Sequence, residues 1–576
     1  MRPLATAVVA ATLVFSGTAT LIAAAVATVT GGLSPSLSAT SLLLGAVAGV
    51  FAGRATAARQ RRPDGGAREG AADEVARGPG LSDLLAVACF AVVAVRQFLW
   101  LLHERGGVLY TLLPNNYGDL PLHWTYIRYL ANNASFWPEN PIIVGQRLRY
   151  PFGVDLFTAL FVQLGASLPG LLAVLGVLGS ALAACALFGW GRGFAVAAFV
   201  FSGGLAGFRW LTTGELLDYQ DTVAWKNLFL ALYVPQRGFL FALPAGLLLL
   251  TSGRERLFRG GGGLPAWVDG VLWGMLPLFH LHTFLFVSLV LAFWAVSAGR
   301  VRAALPAFVW AVAPAAWGVW QVTDGFRAAS LVWWKPGWVI GDENPLVFLA
   351  RNFGLFLPLA LWALARALRE RSEHRFTVGP GLALFVVLFF VMLAPWDWDN
   401  TKVMLWCYLL VLPGMDALVL ARLRLPLRVL ALAALFFSGA VAVLAASLAP
   451  PGRFEVLGLE ETRGVCRALA GISVRERVAT VPTFNHPVAL CGHPLVAGYA
   501  GHLWSHGIEA RQVQADLAAA MRGEADWRQR ARRVQARLIF WGPREAREYL
   551  DSPRPWEATE TLVAEGPWGR LYRLAD

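Results

Sequence analysis

Apolar residues along this chain gather in long runs, and most of the charge falls in the short stretches between them. Several runs reach roughly 18 residues or more without the alternation of a barrel strand, so they predict membrane-crossing helices. They lie at 6–28, 36–53, 81–102, 165–188, 194–210, 237–252, 266–279, 282–298, 303–321, 346–367, 378–395, 403–420 and 429–449, about thirteen in all. The first follows Arg2 in the manner of a secretory leader, but its apolar stretch outruns the usual leader core and predicts an anchor. The fold class expected is mainly α, a polytopic membrane helical bundle.

The basic clusters orient that bundle. Arg54, Arg59, Arg61 and Arg62 follow the second run, Arg254, Arg256 and Arg259 the sixth, and Arg300 and Arg302 the eighth. Arg366, Arg369, Arg371 and Arg375 follow the tenth, and Arg422, Arg424 and Arg428 the twelfth. Counting the runs places every cluster on one side, which the positive-inside rule makes cytoplasmic, together with the N-terminus. The loops 103–164, 211–236, 322–345 and 396–402 then face outward, as does the tail from about 450. The chain divides into two N-terminal helices (1–53), a basic Gly/Ala-rich cytoplasmic linker (54–80), a transmembrane core (81–449) and the tail (450–576). The localisation expected is the inner (plasma) membrane, with the tail outside the cytoplasm.

Composition agrees. Of 576 residues 57% are hydrophobic and 15% charged, with a mean hydropathy of +0.54; a soluble domain carries about 25% charged residues. The net charge of +12 sits in the inter-helix clusters, which speaks for membrane orientation and against a nucleic-acid partner.

The tail is a different material. "RVATV", "RLIFWG" and "GRLYRL" predict strands, while "ARQVQADLAAAMRG" and "PREAREYL" predict helices, giving a small extracytoplasmic α/β domain. No cysteine pair has the spacing of a metal or redox motif. Cys89, Cys185 and Cys407 fall in apolar runs, whereas Cys466 and Cys491 fall in the tail, where an exported domain allows a disulfide.

Unusual polar motifs concentrate on the outward face. "NNYGDLPLHWTYIRYL" (115–130), "GQRLRYPFGVD", "PQRG", "FHLHTF" and "PWDWDNTK" all fall at outer ends of runs. A charge at the bilayer centre costs about 2.5–3.5 kcal/mol on insertion scales, a penalty that a helix end largely avoids. Two readings of Asp119 stand side by side. It can N-cap a helix starting near Leu120–Pro121, with the surrounding rings as an interfacial belt. It can equally be a general base held at the water–lipid boundary.

A large first outer loop with an acidic residue, a many-spanning core and an exported C-terminal α/β domain resemble the GT-C class of membrane glycosyltransferases. The resemblance covers roughly 81–576 and rests on architecture and loop placement. It implies that Asp119, after the first core helix, is the catalytic residue. It implies transfer of a sugar from a polyprenyl-phosphate donor to a lipid, glycan or protein acceptor, with inversion, the base taking the acceptor's proton. Many members carry a second acidic site, and here Glu215, Asp218, Asp221, Asp397 and Asp399 are the candidates.

The phosphate leaving group asks for cations. Arg147, Arg149 and Arg237 sit in outer loops beside rings; Arg offers a two-pronged donor where Lys335 or Lys402 offers a point charge. His123, His280, His282 and His486 join Lys402 as candidate substrate contacts. The spacing of His280 and His282 is not that of a helical metal pair; His502 and His506 have that spacing but no matching third ligand. No metal site is assigned. Asp397 and Asp399 can bind Mg²⁺ or Mn²⁺, or can pair with Lys402 and staple their turn. Arg96, inside a run, needs an interior partner. The rival class is a transporter or flippase for a lipid-linked or polar solute. Such proteins often show related halves and charged residues near mid-membrane at broken helices; here no two halves resemble each other and the charges concentrate at one face. A third reading is a scaffold for envelope assembly.

Overall fold

Each expected run coincides with helix, and the departures lie in length. The computed structural model describes residues 3–61, 78–261, 263–327, 332–394, 396–450 and 452–575. The chain opens with α1 (Pro3–Thr30) and α2 (Pro35–Gln60), a hairpin. Gly45, Gly49 and Gly53 form a stripe at four-residue spacing on α2. A Cβ at Gly45 or Gly49 would come within 2.7 Å of an α1 carbonyl oxygen, so the two backbones approach as only small residues allow. Helix α2 runs through Arg54 and Arg59, so the expected linker begins later than residue 54; most of it, 62–77, lies outside the described residues.

After α3 (Leu81–Leu99) comes a hairpin of β1 (His103–Arg105) and β2 (Val108–Thr111). Gly106 and Gly107, both at positive φ, make its two-residue turn. Helices α4 (Asn116–Ala131) and α5 (Gly153–Gln163) fill the first large loop. Helix α6 (Leu168–Val200) breaks at Gly191 and Arg192, between the two runs expected there. Then follow α7 (Phe239–Arg254), α8 (Ala266–Phe279), α9 (Leu281–Ser297) and α10 (Val301–Val322). Strand β3 (Trp333–Trp334) pairs with β4 (Val391–Met392) across α11 (Pro345–Phe353), α12 (Phe356–Arg369) and α13 (Arg375–Val387). Helices α14 (Asn400–Leu418) and α15 (Leu425–Leu448) complete the set.

Among the described residues seven helices are long and apolar enough to cross a membrane, or eight counting α11 and α12, which bend by 92°, as one. The chain is thus a mainly helical, multi-pass membrane type. The difference from thirteen is one of reach. Helix α8, at 14 residues, spans roughly 21 Å at about 1.5 Å per residue, against a hydrocarbon thickness of about 30 Å. Buried tryptophans tie these helices together: Trp190 donates to the Leu409 carbonyl (2.7 Å), Trp294 to that of Phe376 (2.7 Å) and Trp406 to Thr283 Oγ1 (2.9 Å). Each such bond contributes about 1 kcal/mol net, and each leaves no indole N–H orphaned in an apolar interior.

Several of the basic clusters meet at one end of the bundle. Arg254 and Arg259 both bind Glu373, Arg256 binds Asp269 and Arg422 binds Glu370. Arg96 donates to the Ser447 carbonyl at 3.1 Å and lies over the Trp100 ring, so its partners are a carbonyl and a ring.

The C-terminal segment begins with β5 (Phe454–Gly458), which pairs antiparallel with β2 and so joins the tail to the first large loop. Strands β6 (Arg477–Ala479), β7 (Ala536–Trp541), β8 (Thr561–Gly566) and β9 (Gly569–Arg573) form a sheet in the order β6-β7-β9-β8. The three expected strands and two expected helices of the tail are present; β5 and β8 come in addition. Cys466 and Cys491 are joined by a disulfide, and Cys89, Cys185 and Cys407 are free. Denatured, unreduced protein is therefore expected to alkylate at three of its five cysteines and at all five after reduction, read by intact mass; five before reduction would contradict the pairing.

Candidate functional site

The helix carrying Asp119 starts four residues before Leu120, at Asn116, so Asp119 lies in its first turn and is not its cap. The carboxylate accepts a bond from Gln236 Nε2 at 3.1 Å instead. A first-turn acid also faces the positive end of the helix dipole. His123, one turn on, shares the face of Asp119, as helical periodicity requires. Its Nδ1 meets the Asp155 carboxylate at 2.9 Å, and both side chains are buried. A carboxylate on Nδ1 fixes the ring's orientation and leaves Nε2 as the other working nitrogen. Asp155 comes from the first turn of α5, and the Tyr150 ring packs against both His123 (5.9 Å) and Tyr126 (5.4 Å).

A second wall comes from the far helices. Lys402, at the start of α14, binds Asp399 at 2.8 Å. His282 acts on Asp399 electrostatically, and both Lys402 and Asp399 act on Asp119. His280 sits in the break between α8 and α9. Its Nδ1 caps α9 by accepting from the Thr283 amide at 3.1 Å, and its ring stacks on Phe239 at 4.0 Å. Its Nε2 is buried without a partner. Arg237, 1% exposed, spends one Nη on the Leu172 carbonyl (3.2 Å), while its Nε and other Nη are buried without partners in the field of Asp155.

The roof comes from the tail. His502, in the short helix Ala500–Ser505, lies against Gly118, where a Cβ would come 3.5 Å from its Nε2. The His506 ring is 5.1 Å from Tyr150. Burial pushes both imidazoles down, His502 to about 3 and His506 to about 4, so at neutral pH they add polarity without charge.

Electrostatics separate the two acids. Burial pushes the Asp119 carboxyl above the usual carboxylate range, and Asp399 adds to this, while His123, Lys402 and the Gln236 bond pull the other way. Burial would raise Asp399 too, but Lys402 and His282 hold it below its ordinary value. One carboxylate is therefore committed to an ammonium partner, and the other is held by an amide alone.

Of the residues singled out in the sequence, Asp119, His123, Arg237, His280, His282, Asp399 and Lys402 fall in this assembly. Arg147 and Arg149 do not. Both are spent on Asp324 at the end of α10, at 3.0 and 3.2 Å. His486 is fully buried in the tail, its Nε2 on Glu545 (2.9 Å) and its Nδ1 accepting from the Val488 amide. Asp218 caps a short turn at the Gln220 amide and Asp221 binds Lys226 (2.9 Å), away from Asp119. The Asp397 side chain lies outside the described residues. Sequence reasoning missed Tyr150, Asp155 and Gln236, although all three stand in the quoted "GQRLRYPFGVD" and "PQRG".

Lys402 supplies the positive charge beside Asp399 that a divalent cation would bring. Among the described residues no group of three or more His, Cys, Asp or Glu is arranged to hold a metal ion. No protein-family model matches this chain, and no curated protein matches its sequence.

Proposed function

We propose that the protein is an inner-membrane glycosyltransferase of GT-C type, taking sugar from a polyprenyl-phosphate donor on the outward face. The observation that carries this reading is a half-buried carboxylate without an ion-pair partner, Asp119, one helical turn from His123, whose partner Asp155 is the carboxylate in whose field Arg237 keeps its buried donors open. Asp119 takes the proton of the acceptor hydroxyl as its oxygen attacks the anomeric carbon. The bond from that carbon to the phosphate oxygen breaks, and the freed phosphate is met by the guanidinium of Arg237 and by Lys402. His123, steadied by Asp155, and His280, through its free Nε2, are the imidazole contacts to sugar or phosphate oxygens. No step is routed through a metal.

The end of the bundle where Arg254, Arg256, Arg259 and Arg422 are ion-paired is the cytoplasmic one, and the Cys466–Cys491 disulfide suits an oxidising compartment for the tail. The shorter helices cross as parts of the bundle, shielded by longer neighbours.

Proteoliposomes given radiolabelled polyprenyl-phosphate sugars and a membrane-glycan acceptor fraction test the reading. Label passing from carrier to acceptor is the expected result. Label crossing the bilayer while still on its carrier would instead favour a flippase.

The pH profile adds a sharper expectation. The rate rises with pH as Asp119 loses its proton, with its inflection above the ordinary Asp value of about 3.9. Lys402→Met moves the inflection up, because a cation favouring the carboxylate is gone. Asp399→Asn moves it down, because a repelling charge is gone. Shifts of the same sign in the two kcat/KM profiles would contradict this assignment.

A further inference from the structure

A wide cavity lies on the tail, apart from the Asp119 assembly but sharing the start of α4 with it. Its volume is about 1650 Å³, beyond the roughly 300–1,000 Å³ that encloses a drug-sized ligand. Its walls are β5, the helix Leu459–Leu469, the helix Pro543–Glu548 and the end of β8. Tyr117, two residues before Asp119 and 40% exposed, forms one side together with Phe454 and Phe484, whose rings it contacts at 5.8 and 5.2 Å.

The charges of this cleft are balanced: five arginines and five glutamates line it. Few of them neutralise one another. Arg544 is engaged by Asn485 and Glu461, and Glu565 lies near Arg570. Arg463 and Arg467, one turn apart on the same helix face, and Arg547 bind no side chain among the described residues; nor do Glu455, Glu460 and Glu548. A polyanion would be met by the guanidinium groups and repelled by the carboxylates, so a wall of both signs without net charge does not suit it. Vicinal hydroxyls suit it well. Guanidinium groups only donate and carboxylates only accept, and each hydroxyl does both. Exposed rings offer flat apolar faces to the C–H side of a pyranose or furanose.

We propose that this cleft binds an oligosaccharide chain, the glycan acceptor of the transfer, laid across the tail toward the start of α4. The identity of the ligand as acceptor rests on the transferase reading; the binding of sugar does not. Full-length protein in nanodiscs, applied to a printed array of neutral and anionic oligosaccharides, tests it. Neutral oligosaccharides are expected to retain the protein, and the double variant Arg467→Gln, Glu548→Gln, altered at two exposed positions, to lose about tenfold in apparent affinity. Retention by polyanions alone, retention by no glycan, or unchanged affinity of the variant would each overturn the proposal. If transfer is absent while the array signal stands, only the transferase reading falls. If transfer proceeds while neutral glycans fail to bind, only the cleft assignment falls.

Discussion

Asp119→Asn is expected to fold and insert as the native chain does, yet to transfer sugar about 10²–10⁴-fold more slowly. The fold survives because the asparagine carbonyl oxygen still accepts from Gln236 Nε2, and because α4 begins at Asn116 without help from this side chain. The chemistry fails because an amide cannot take the proton of the attacking hydroxyl. Transfer of radiolabel, normalised to folded protein from gel filtration, checks it. A variant with native rate removes the base from this residue, and the reading of the site with it.

Arg237→Lys is expected to be nearly as damaging, at about 10²–10³-fold in kcat. The charge is kept, but the fork is lost. Arg237 spends one end on the Leu172 carbonyl and keeps its other donors buried and open, an arrangement a single ammonium cannot reproduce. Arg237→Met separates packing from chemistry, since an apolar side chain of similar length relieves the buried charge: its thermal stability should equal or exceed that of the native protein while transfer is lost. A lysine variant with native kcat would return Arg237 to a purely structural role. By contrast Arg149, singled out by the same sequence logic, is held with Arg147 on Asp324, and its loss should be felt as stability more than as rate.

That contrast shows where sequence was sufficient. Apolar runs located the helices because burial in lipid writes itself into composition, residue after residue. Whether a helix reaches across was less legible: Ala266–Phe279 and Leu281–Ser297 are as apolar as their neighbours but shorter. Polar residues at helix ends could be picked out of the sequence as a group, yet their partners could not be read. Arg147 and Arg237 stand in similar aromatic settings, and only the fold shows that Asp324 satisfies one while the other's Nε has no partner among the described residues. The His486 pair with Glu545 spans 59 residues, and the Asp119 bond to Gln236 spans 117. Nothing local in the chain announces either.

The pairing of Thr111 with Phe454 has a consequence for how the protein comes into being. Synthesis runs from the N-terminus, so the apolar helices are made and can enter the bilayer before the last quarter of the chain exists. Until residue 454 emerges, the free edge of Val108–Thr111 lacks its second neighbour, and until 506 emerges the tail imidazoles do not cover Gly118 and Tyr150. A nascent or truncated chain is thus an anchored but unroofed bundle. The Asp119 assembly is complete only once the tail has folded onto it.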